Sequence, residues 1–390
     1  SSATRINAQG LIETVELAKS RLNYPLIDGV VNGCPSHLLE PSRTNLITYS
    51  EDFTQVDWAG AAVTRELNQI ISPDGTLNGA EISSNVAFSQ IQQTYTSINN
   101  TDYTLSLFAK LPSSNVVGLR LASGSNDVRR EFNLSTLSIQ SMGGNNQELI
   151  DEGIENYGNG WYRIFLTCKA DGTSAFLNIY PKNSSDATLQ SVFIYGAQLE
   201  QGSYPTSYIP TSGSAVTRLE ETANGAGDAS TFNDSEGVLF VEISGLANDG
   251  TNRYISLKNN TTVDIIRIGY ITSSNRIVIE NYKSGALFNL FNYEVQDVKT
   301  NSKIAFKWKD NDFQLYINGL NVLSNTSVTV WGSDVFQSLQ FDQHNGSNNF
   351  YGNVKQIQYF DSALNDSDLE KLTSWVSFTD MANGQLYTIE

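Results

Sequence analysis

The 390-residue chain has few of the residues that build disulfide frameworks or histidine-based active sites. It contains two cysteines, Cys34 and Cys168, and two histidines, His37 and His344. Two cysteines form one bridge in an oxidising compartment or remain lone thiols, and neither outcome is a disulfide framework. Two histidines leave little from which to build a catalytic triad or a metal centre. Since no Gly-x-Ser-x-Gly elbow, His-Glu-x-x-His or phosphate loop occurs either, the sequence predicts no catalytic activity.

Positive charge and long apolar runs are also scarce. Lys and Arg number 24 against 41 Asp and Glu, which gives a net charge of −17. Such a surface repels nucleic-acid backbones and anionic membranes, and no basic cluster relieves the repulsion. No apolar run reaches the roughly 18 residues of a membrane helix, and no signal-peptide pattern opens the chain. We therefore expect no nucleic-acid partner and no membrane insertion. Neutral glycans remain candidates, as do anionic glycans bridged by a divalent cation.

The chain is rich in Asn, Ser, Thr, Gly and Tyr, a mixture that suits short strands joined by turns. Apolar residues alternate with polar ones at a period of two in many segments. Every second residue between 103 and 111 is apolar or aromatic, and residues 161–168 alternate likewise. Strands at this spacing favour antiparallel sandwiches over βαβ units. The predicted fold class is all-β, with two antiparallel β-sandwich (jelly-roll) domains in tandem behind a short N-terminal connector.

Composition also predicts the domain boundaries. Small residues dominate the stretch before residue 235, which predicts a linker at 218–235. We expect a connector at 1–40, a first sandwich at 41–217 and a second at 236–390. The chain opens abruptly, so we expect it to be part of a longer protein.

Two local signals stand out in the second domain. Asn318-Gly319 predicts a type I′ hairpin turn, because both residues tolerate a positive φ. Residues 365–374 predict the one helix, which Asn365 can cap.

Four segments of the first domain carry a family resemblance. Three lie near the start of the chain, and they read SATRINAQGLIE at 2–13, SRLNY at 20–24 and LLEPSRTNLITYSEDF at 38–53. The fourth reads IYGAQLEQGSYPTSYIPT at 194–211. Together with Trp58 they resemble a module that recurs in tail-fibre and other virion proteins of tailed bacteriophages. That module is similar to jelly-roll carbohydrate-binding modules.

The second domain ends in FYGNVKQIQYFDSALNDSDL at 350–369. This ending and the predicted hairpin turn resemble concanavalin/laminin-G-like sandwiches, a likeness that indicates fold better than function. The two resemblances imply a phage virion fibre, receptor-binding or decoration protein that binds host-surface polysaccharide without catalysis. They imply location in the virion, contact with other virion proteins and a homo-oligomer, with a trimer favoured, although no heptad repeat specifies three chains.

Candidate glycan-binding residues are aromatic rings, which stack on sugars, and planar polar groups, which bond to hydroxyls. In the first domain they are Trp58, Tyr95, Arg120, Arg129, Tyr157 and Tyr180. Arg120 lies mid-strand on the face opposite Leu119 and Leu121, which suits a solvent-facing sheet or the floor of a binding cleft. Trp58 also suits a core position, which is the favoured interpretation for this residue. In the second domain the candidates are Asp342, His344 and Asn345. Their carboxamide-rich loop could bind sugar or be a solvated hairpin loop.

The one cofactor candidate is a structural Ca²⁺ ion. Modules that this domain resembles often hold Ca²⁺ where their two ends meet. Four acidic residues flank the ends of the first domain and would supply hard oxygen ligands, namely Glu40, Glu51, Asp52 and Glu200. Capping of turns by the same acids explains them equally well.

Two rival functions stay open at this point. One is a polysaccharide depolymerase, a lyase or hydrolase whose site would use tyrosine, arginine and acidic residues. The other is a purely architectural virion subunit without a ligand.

Overall fold

The structure is a computed structural model that describes residues 3–112, 114–182, 188–259, 264–272, 275–332 and 335–385. It divides into two compact units. The first comprises Ser1–Cys34 and Ser42–Leu219, and the second comprises Pro35–Pro41 and Glu220–Glu390. Among the described residues, no helix has the length and apolar character needed to cross a membrane.

The strands up to residue 218 are β1 (Thr4–Ile6), β2 (Ile12–Thr14), β3 (Leu22–Asn23), β4 (Leu26–Ile27), β5 (Val30–Val31), β6 (Ser36–Leu39), β7 (Arg43–Asn45), β8 (Ala59–Ala61), β9 (Thr64–Ile71), β10 (Leu77–Ser84), β11 (Gln90–Thr96), β12 (Asp102–Lys110), β13 (Val116–Ser123), β14 (Asn126–Asn133), β15 (Ser138–Asn145), β16 (Leu149–Gly158), β17 (Trp161–Lys169), β18 (Ser174–Tyr180), β19 (Gln190–Gln201) and β20 (Val216–Arg218). The remaining elements are β21 (Glu236–Gly245), β22 (Arg253–Lys258), β23 (Ile265–Tyr270), β24 (Arg276–Lys283), β25 (Ala286–Glu294), β26 (Ser302–Lys309), β27 (Phe313–Ile317), β28 (Leu320–Asn325), β29 (Ser338–Gln340), β30 (Gly352–Phe360), α1 (Asp366–Thr373) and α2 (Phe378–Gly384).

Two six-stranded antiparallel sheets form the first unit. One runs in the order β16-β17-β12-β19-β10-β9, and the other in the order β15-β14-β13-β18-β11-β8. Their inner faces share one core, to which Leu105 of the first sheet and Leu119 of the second both contribute. The predicted alternation along β12 and β17 is confirmed, since Leu107 and Leu166 are also fully buried there. We call the β15-to-β8 sheet the front sheet.

The first 34 residues belong to the first unit, whereas the sequence predicted a separate connector. Strand β1 pairs with β2, and β4 pairs with β5. Ile6 and Ile12 of the first hairpin pack on Phe108, Trp161 and the tyrosines beside them, on the outer face of the β16-to-β9 sheet. The hairpin removes these aromatic rings from contact with water, and this burial holds the segment in place as part of the sandwich.

The second unit is also a sandwich of two antiparallel sheets. Its strands pair in the orders β28-β27-β26-β21-β30-β6 and β25-β24-β23-β22-β29. Ile255, Phe306 and Trp308 lie in their common core. The all-β prediction with two antiparallel sandwiches is therefore confirmed.

The predicted linker is not free of the second unit. Phe232 packs into that unit's core. The buried carboxylate of Asp234 accepts hydrogen bonds from the amides of Val335 and Phe336, each at 2.8 Å. The linker prediction was therefore wrong for this part of the segment. It rested on the many small residues, whereas Phe232 and Asp234 attach the segment to the second unit.

Both local signals in the second domain are confirmed. Asn318 and Gly319 have positive φ angles of 50° and 87° between the paired residues Ile317 and Leu320. Helix α1 follows Asn365, whose side-chain Oδ1 accepts the amide of Asp368 at 3.0 Å. The sequence prediction missed α2, a seven-residue helix too short to establish a helical period.

Candidate functional site

The outer face of the front sheet carries a line of polar side chains. Arg120 of β13 lies opposite Arg129 of β14 on one side and opposite Asn178 of β18 on the other. Asn178 in turn lies opposite Gln92 of β11. Neighbouring strands are about 4.8 Å apart, so this polar row crosses four strands over roughly 14 Å. We define the polar row as Arg129, Arg120, Asn178 and Gln92.

The alternation of each strand explains why the row faces outward. Leu119 and Leu121 flank Arg120 and are fully buried in the core, as are Leu177 and Ile179 on either side of Asn178. Since successive side chains point to opposite faces, the residues between them must lie on the outer face. The structure therefore places Arg120 as the sequence predicted.

One buried carboxylate holds both arginines of the row. Asp127 Oδ2 lies 2.6 Å from Arg120 Nε and 2.5 Å from Arg129 Nε, and its Oδ1 accepts the amide of Asn145 at 3.1 Å. Burial alone would raise the pKa of Asp127, but Arg129 and Arg120 hold that pKa below its ordinary value. Asp127 is therefore ionised at neutral pH and orients both guanidinium groups.

Aromatic side chains lie on both sides of Arg120. The Arg120 guanidinium carbon lies 4.6 Å from the centre of the half-buried Phe176 ring. The Tyr180 side chain accepts a hydrogen bond from Arg120, although burial is the main reason that the pKa of Tyr180 is raised. Gly118, opposite Tyr180, leaves room for that ring, since an added Cβ would lie 3.1 Å from the ring and 3.0 Å from the sulfur of Met142.

Asn178 and Gln92 bring two planar amides to the other end of the row. Asn178 Nδ2 donates to Gln92 Oε1 at 3.1 Å. Asn178 is fully buried, and its Oδ1 has no hydrogen-bond partner in the part of the chain that the structure describes. A buried acceptor without a partner costs free energy, so a ligand donor that reached Oδ1 after the side chains above it moved aside would be favoured.

Three other predicted glycan-binding residues lie away from the row. Trp58 is 1% exposed in the core, where its Nε1 donates to the carbonyl of Tyr49 at 2.8 Å. Tyr95 packs at the edge of the same core. Tyr157 belongs to the aromatic cluster under the N-terminal hairpin and meets Phe108 edge-on. Trp58 precedes β8 and is buried in the core, and strand alternation turns Tyr95 of β11 inward, so their assignment to a glycan surface was wrong.

The predicted loop of the second unit is held by internal contacts. Asp342 is buried and accepts the amide of His344 and the side-chain nitrogen of Asn224. His344 Nδ1 lies 2.5 Å from the buried Arg267. The exposed Asn345 accepts the amide and hydroxyl of Ser347. These bonds occupy both carboxylate oxygens of Asp342, which corrects the prediction for that residue, while those for His344 and Asn345 stay predictions.

The four predicted calcium ligands are not brought together. Glu40 is buried in the second unit, whereas the other three belong to the first. Asp52 caps a turn by accepting from Thr54 and Gln55. Glu200 is fully buried and accepts from Gln198 and from both donors of Thr206. Over the described ranges, no group of three or more His, Cys, Asp or Glu side chains could hold a metal ion.

Glu51 instead forms a carboxylate pair with Asp74 beside a pocket of about 270 Å³ in the first unit. Tyr208 donates to Glu51 at 2.8 Å, and Tyr195 donates to Asp74 at 3.1 Å. The side-chain nitrogen of Asn78 contacts both carboxylates, at 3.5 Å and 3.0 Å.

The two carboxyl groups of this pair titrate differently. Burial, with the charge of Asp74, raises the pKa of Glu51. Burial acts in the same direction on Asp74, but hydrogen bonds from Ser72, Thr76 and Asn78 lower the pKa of that residue. Opposite shifts of this kind suit one proton donor and one ionised group.

Sequence reasoning missed four residues of the candidate site: Asp127, Phe176, Asn178 and Gln92. The period of two was a usable signal for the face of each strand. Buried aliphatic residues flank Asn178, and the half-buried Gln92 comes before the buried Gln93 in β11, so both Asn178 and Gln92 belong to the outer face. The cross-strand register was not readable, because β11, β13 and β18 are far apart in sequence.

No family model matches the chain, and no curated protein matches it. One similar solved structure is the CBM40 of a Ruminococcus gnavus IT-sialidase bound to α2,3-sialyllactose, at 13% identity over 40% of this chain and 97% of that chain, with a TM-score of 0.33. Domains LG4–5 of the mouse laminin α1 chain are 10% identical over 72% of this chain and 90% of theirs, with a TM-score of 0.26. A toad ovary galectin in complex with thio-digalactose is 12% identical over 36% of this chain and 99% of its own, with a TM-score of 0.25. These TM-scores are too low to support an argument about fold or function.

Proposed function

We propose that the chain is a glycan-binding protein without catalytic activity and that its ligand binds along the polar row. The observation that carries this proposal is the combination of fixed donors, planar amides and an aromatic ring on one outer sheet face. Arg120 and Arg129 are oriented by Asp127, while Asn178 offers an acceptor without a partner among the described residues. Phe176 supplies an apolar ring beside them. Sugars present alternating hydroxyls and apolar ring faces, which this set of groups complements.

Binding at one such site is expected to be weak. A few hydrogen bonds, each contributing roughly 0.5–1.5 kcal/mol net, together with one ring contact give millimolar-to-micromolar affinity. Repetition of the site in an assembly would raise the total strength through avidity. This reasoning agrees with the resemblance of the N-terminal segments to phage virion modules. We therefore propose that the protein is a virion fibre, receptor-binding or decoration component that binds host-surface polysaccharide and assembles as a homo-oligomer, with a trimer favoured.

A glycan array tests the binding proposal. The parent chain should bind a defined set of glycans, and Phe176→Ala should bind the same set at least about five-fold more weakly, since the ring contact is lost. Phe378→Ala is a matched control, because Phe378 is an exposed phenylalanine of the second unit. If no glycan binds, the protein has an architectural role instead.

The virion assignment requires a separate experiment. Antibodies raised against the purified chain should label phage particles by immunogold electron microscopy, and light scattering should give an oligomer at micromolar concentration. Particles that carry no label would contradict the virion assignment without affecting glycan binding.

Polysaccharide cleavage is a second candidate function, and the Glu51–Asp74 pair is the observation that favours it. Hydrolysis of a glycosidic bond uses two carboxyl groups, of which one keeps a raised pKa and acts as the acid. Incubation of the chain with host polysaccharide would release reducing ends or unsaturated products if the pair is catalytic. Glu51→Gln would then abolish product release, whereas Glu13→Gln, a change at the same pocket, would not.

A further inference from the structure

The polar row brings two like charges face to face. Arg120 and Arg129 occupy directly opposed positions on β13 and β14, and both contact the same oxygen of Asp127. Like charges at opposed positions of a sheet destabilise it, unless anions lie between them. One carboxylate therefore balances two guanidinium groups within this cluster.

Arg129 has unused hydrogen-bonding capacity. Its Nε is bonded to Asp127, and no other hydrogen bond or ion pair of its side chain is found in the described ranges. Its side chain is 30% exposed, so a ligand can reach it. A guanidinium bonded through Nε keeps its two terminal nitrogens free for a planar, bidentate contact with a carboxylate.

Glu131 is a second acidic residue next to this cluster on the same face. It follows Arg129 by two positions on β14 and lies opposite Gly118. Burial raises the pKa of Glu131, and the side chain forms no ion pair among the described residues. Its ionised form would partly offset the charge of Arg129, so its removal should increase the affinity for an anion.

We propose that the polar row selects glycans that carry a carboxylate, with Arg129 and Arg120 at the acidic group and Asn178 and Gln92 at neighbouring hydroxyls. This inference rests on the proposed glycan binding and adds the chemical class of the sugar. Asn178 lies two strands from Arg129, roughly 10 Å away, so the acidic group and the bonded hydroxyls would belong to adjacent parts of one or two sugar rings. Hexuronates and nonulosonates such as sialic acid both present this carboxylate.

Paired ligands test the inference by isothermal titration calorimetry with the full chain. Trigalacturonate is compared with its carboxyl-reduced form, and 3′-sialyllactose is compared with lactose. Charge-assisted hydrogen bonds should give at least one acidic ligand a roughly ten-fold tighter Kd than that of its neutral partner. The pair that shows the preference identifies the source of the carboxylate.

Three variants place the preference at the row. Arg129→Gln should bring the ratio of acidic-ligand to neutral-ligand affinity close to one. Arg129→Lys should lower this ratio, because lysine cannot make a bidentate contact. Glu131→Gln should increase the ratio. Arg276→Gln is the matched control, since Arg276 is paired loosely with Glu294 at 3.9 Å in the second unit and should leave the ratio unchanged. Melting temperatures check that each variant is folded.

The outcomes separate the two proposals. Equal binding of acidic and neutral ligands by the parent would overturn the carboxylate preference and leave glycan binding intact. A preference that Arg129→Gln does not reduce would overturn the assignment to the row. Absence of binding to these four ligands and to every glycan of the array would overturn the proposed function, and the inference with it.

Discussion

Asn178 lies directly opposite Arg120 in the antiparallel pairing of β13 and β18, fully buried although it is on the outer face of its sheet. Its Nδ2 bonds to Gln92, while its Oδ1 has no partner within the described residues. A buried amide that is half satisfied adds little to folding stability. Its value is therefore expected to lie in ligand binding.

Asn178→Ala tests this expectation. Loss of one or two hydrogen bonds to the sugar should weaken glycan binding about five- to ten-fold. The free energy of unfolding should change by about 1 kcal/mol or less, since the parent side chain makes one hydrogen bond. Titration of an array-selected glycan and urea denaturation measure the two effects.

The second unit contains a matched control for this variant. Asn281 is also fully buried and also has one amide atom without a partner in the described chain, in this case Nδ2. Asn281→Ala should leave glycan affinity unchanged. Equal losses of affinity in the two variants would show that buried asparagines act on binding through folding alone.

The N-terminal hairpin should contribute measurably to the stability of the first unit. Ile12 is 6% exposed against the aromatic cluster, whereas Leu17 in the same segment is 80% exposed. Ile12→Ala should lower the free energy of unfolding by about 2 kcal/mol or more through lost burial and a cavity, and Leu17→Ala should change it by less than about 0.5 kcal/mol. Urea denaturation compares the two, and equal effects would mean that the segment is only a connector.

Protonation of His344 should destabilise the second unit. Burial and the charge of Arg267 lower the pKa of His344 in the fold, and Lys258 adds to this effect while Asp342 opposes it. An unfolded histidine has a pKa near 6.5, so the unfolded chain binds the proton first as the pH falls. The contribution of His344 to stability is therefore complete above about pH 6.5 and declines below it.

Urea midpoints at pH 7.5, 6.5 and 5.5, followed by tryptophan fluorescence, measure this decline. His344→Gln should have a shallower loss of stability between pH 6.5 and 5.5 than the parent. A parent slope in His344→Gln would show that other groups cause the acid sensitivity.

Gly319 should be hard to replace, for two reasons. Its φ of 87° is unfavourable for any residue with a side chain, and an added Cβ would lie 2.8 Å from the hydroxyl oxygen of Ser374. Gly319→Ala should therefore cost about 1–2 kcal/mol of stability. Within the described part of the chain, no atom lies within 4 Å of a Cβ added to Gly332, and its φ is not positive. Gly332→Ala should be neutral or slightly stabilising by thermal denaturation, and a similar loss in both variants would contradict the strain argument.

Local patterns in the sequence were sufficient to predict the fold class. Alternation with a period of two identified β12 and β17 as strands, because adjacent side chains of a strand face opposite ways. Asn318-Gly319 predicted its turn and Asn365 its helix start, because both effects depend on a few neighbouring residues. The charge balance, which follows from composition, reduced the list of expected partners.

Only the tertiary structure determined which polar residues act together. Each strand's alternation predicts that Arg120 and Asn178 face away from the core, but their meeting depends on the register of strands more than fifty residues apart. A slip of one residue in that register would turn every side chain to the other face. Burial in the folded unit likewise decided that Trp58 belongs to the core and that Asp127 serves two arginines. Sequence alone determined the faces of the strands, and long-range pairing determined the site, because side-chain direction is a local property and register is not.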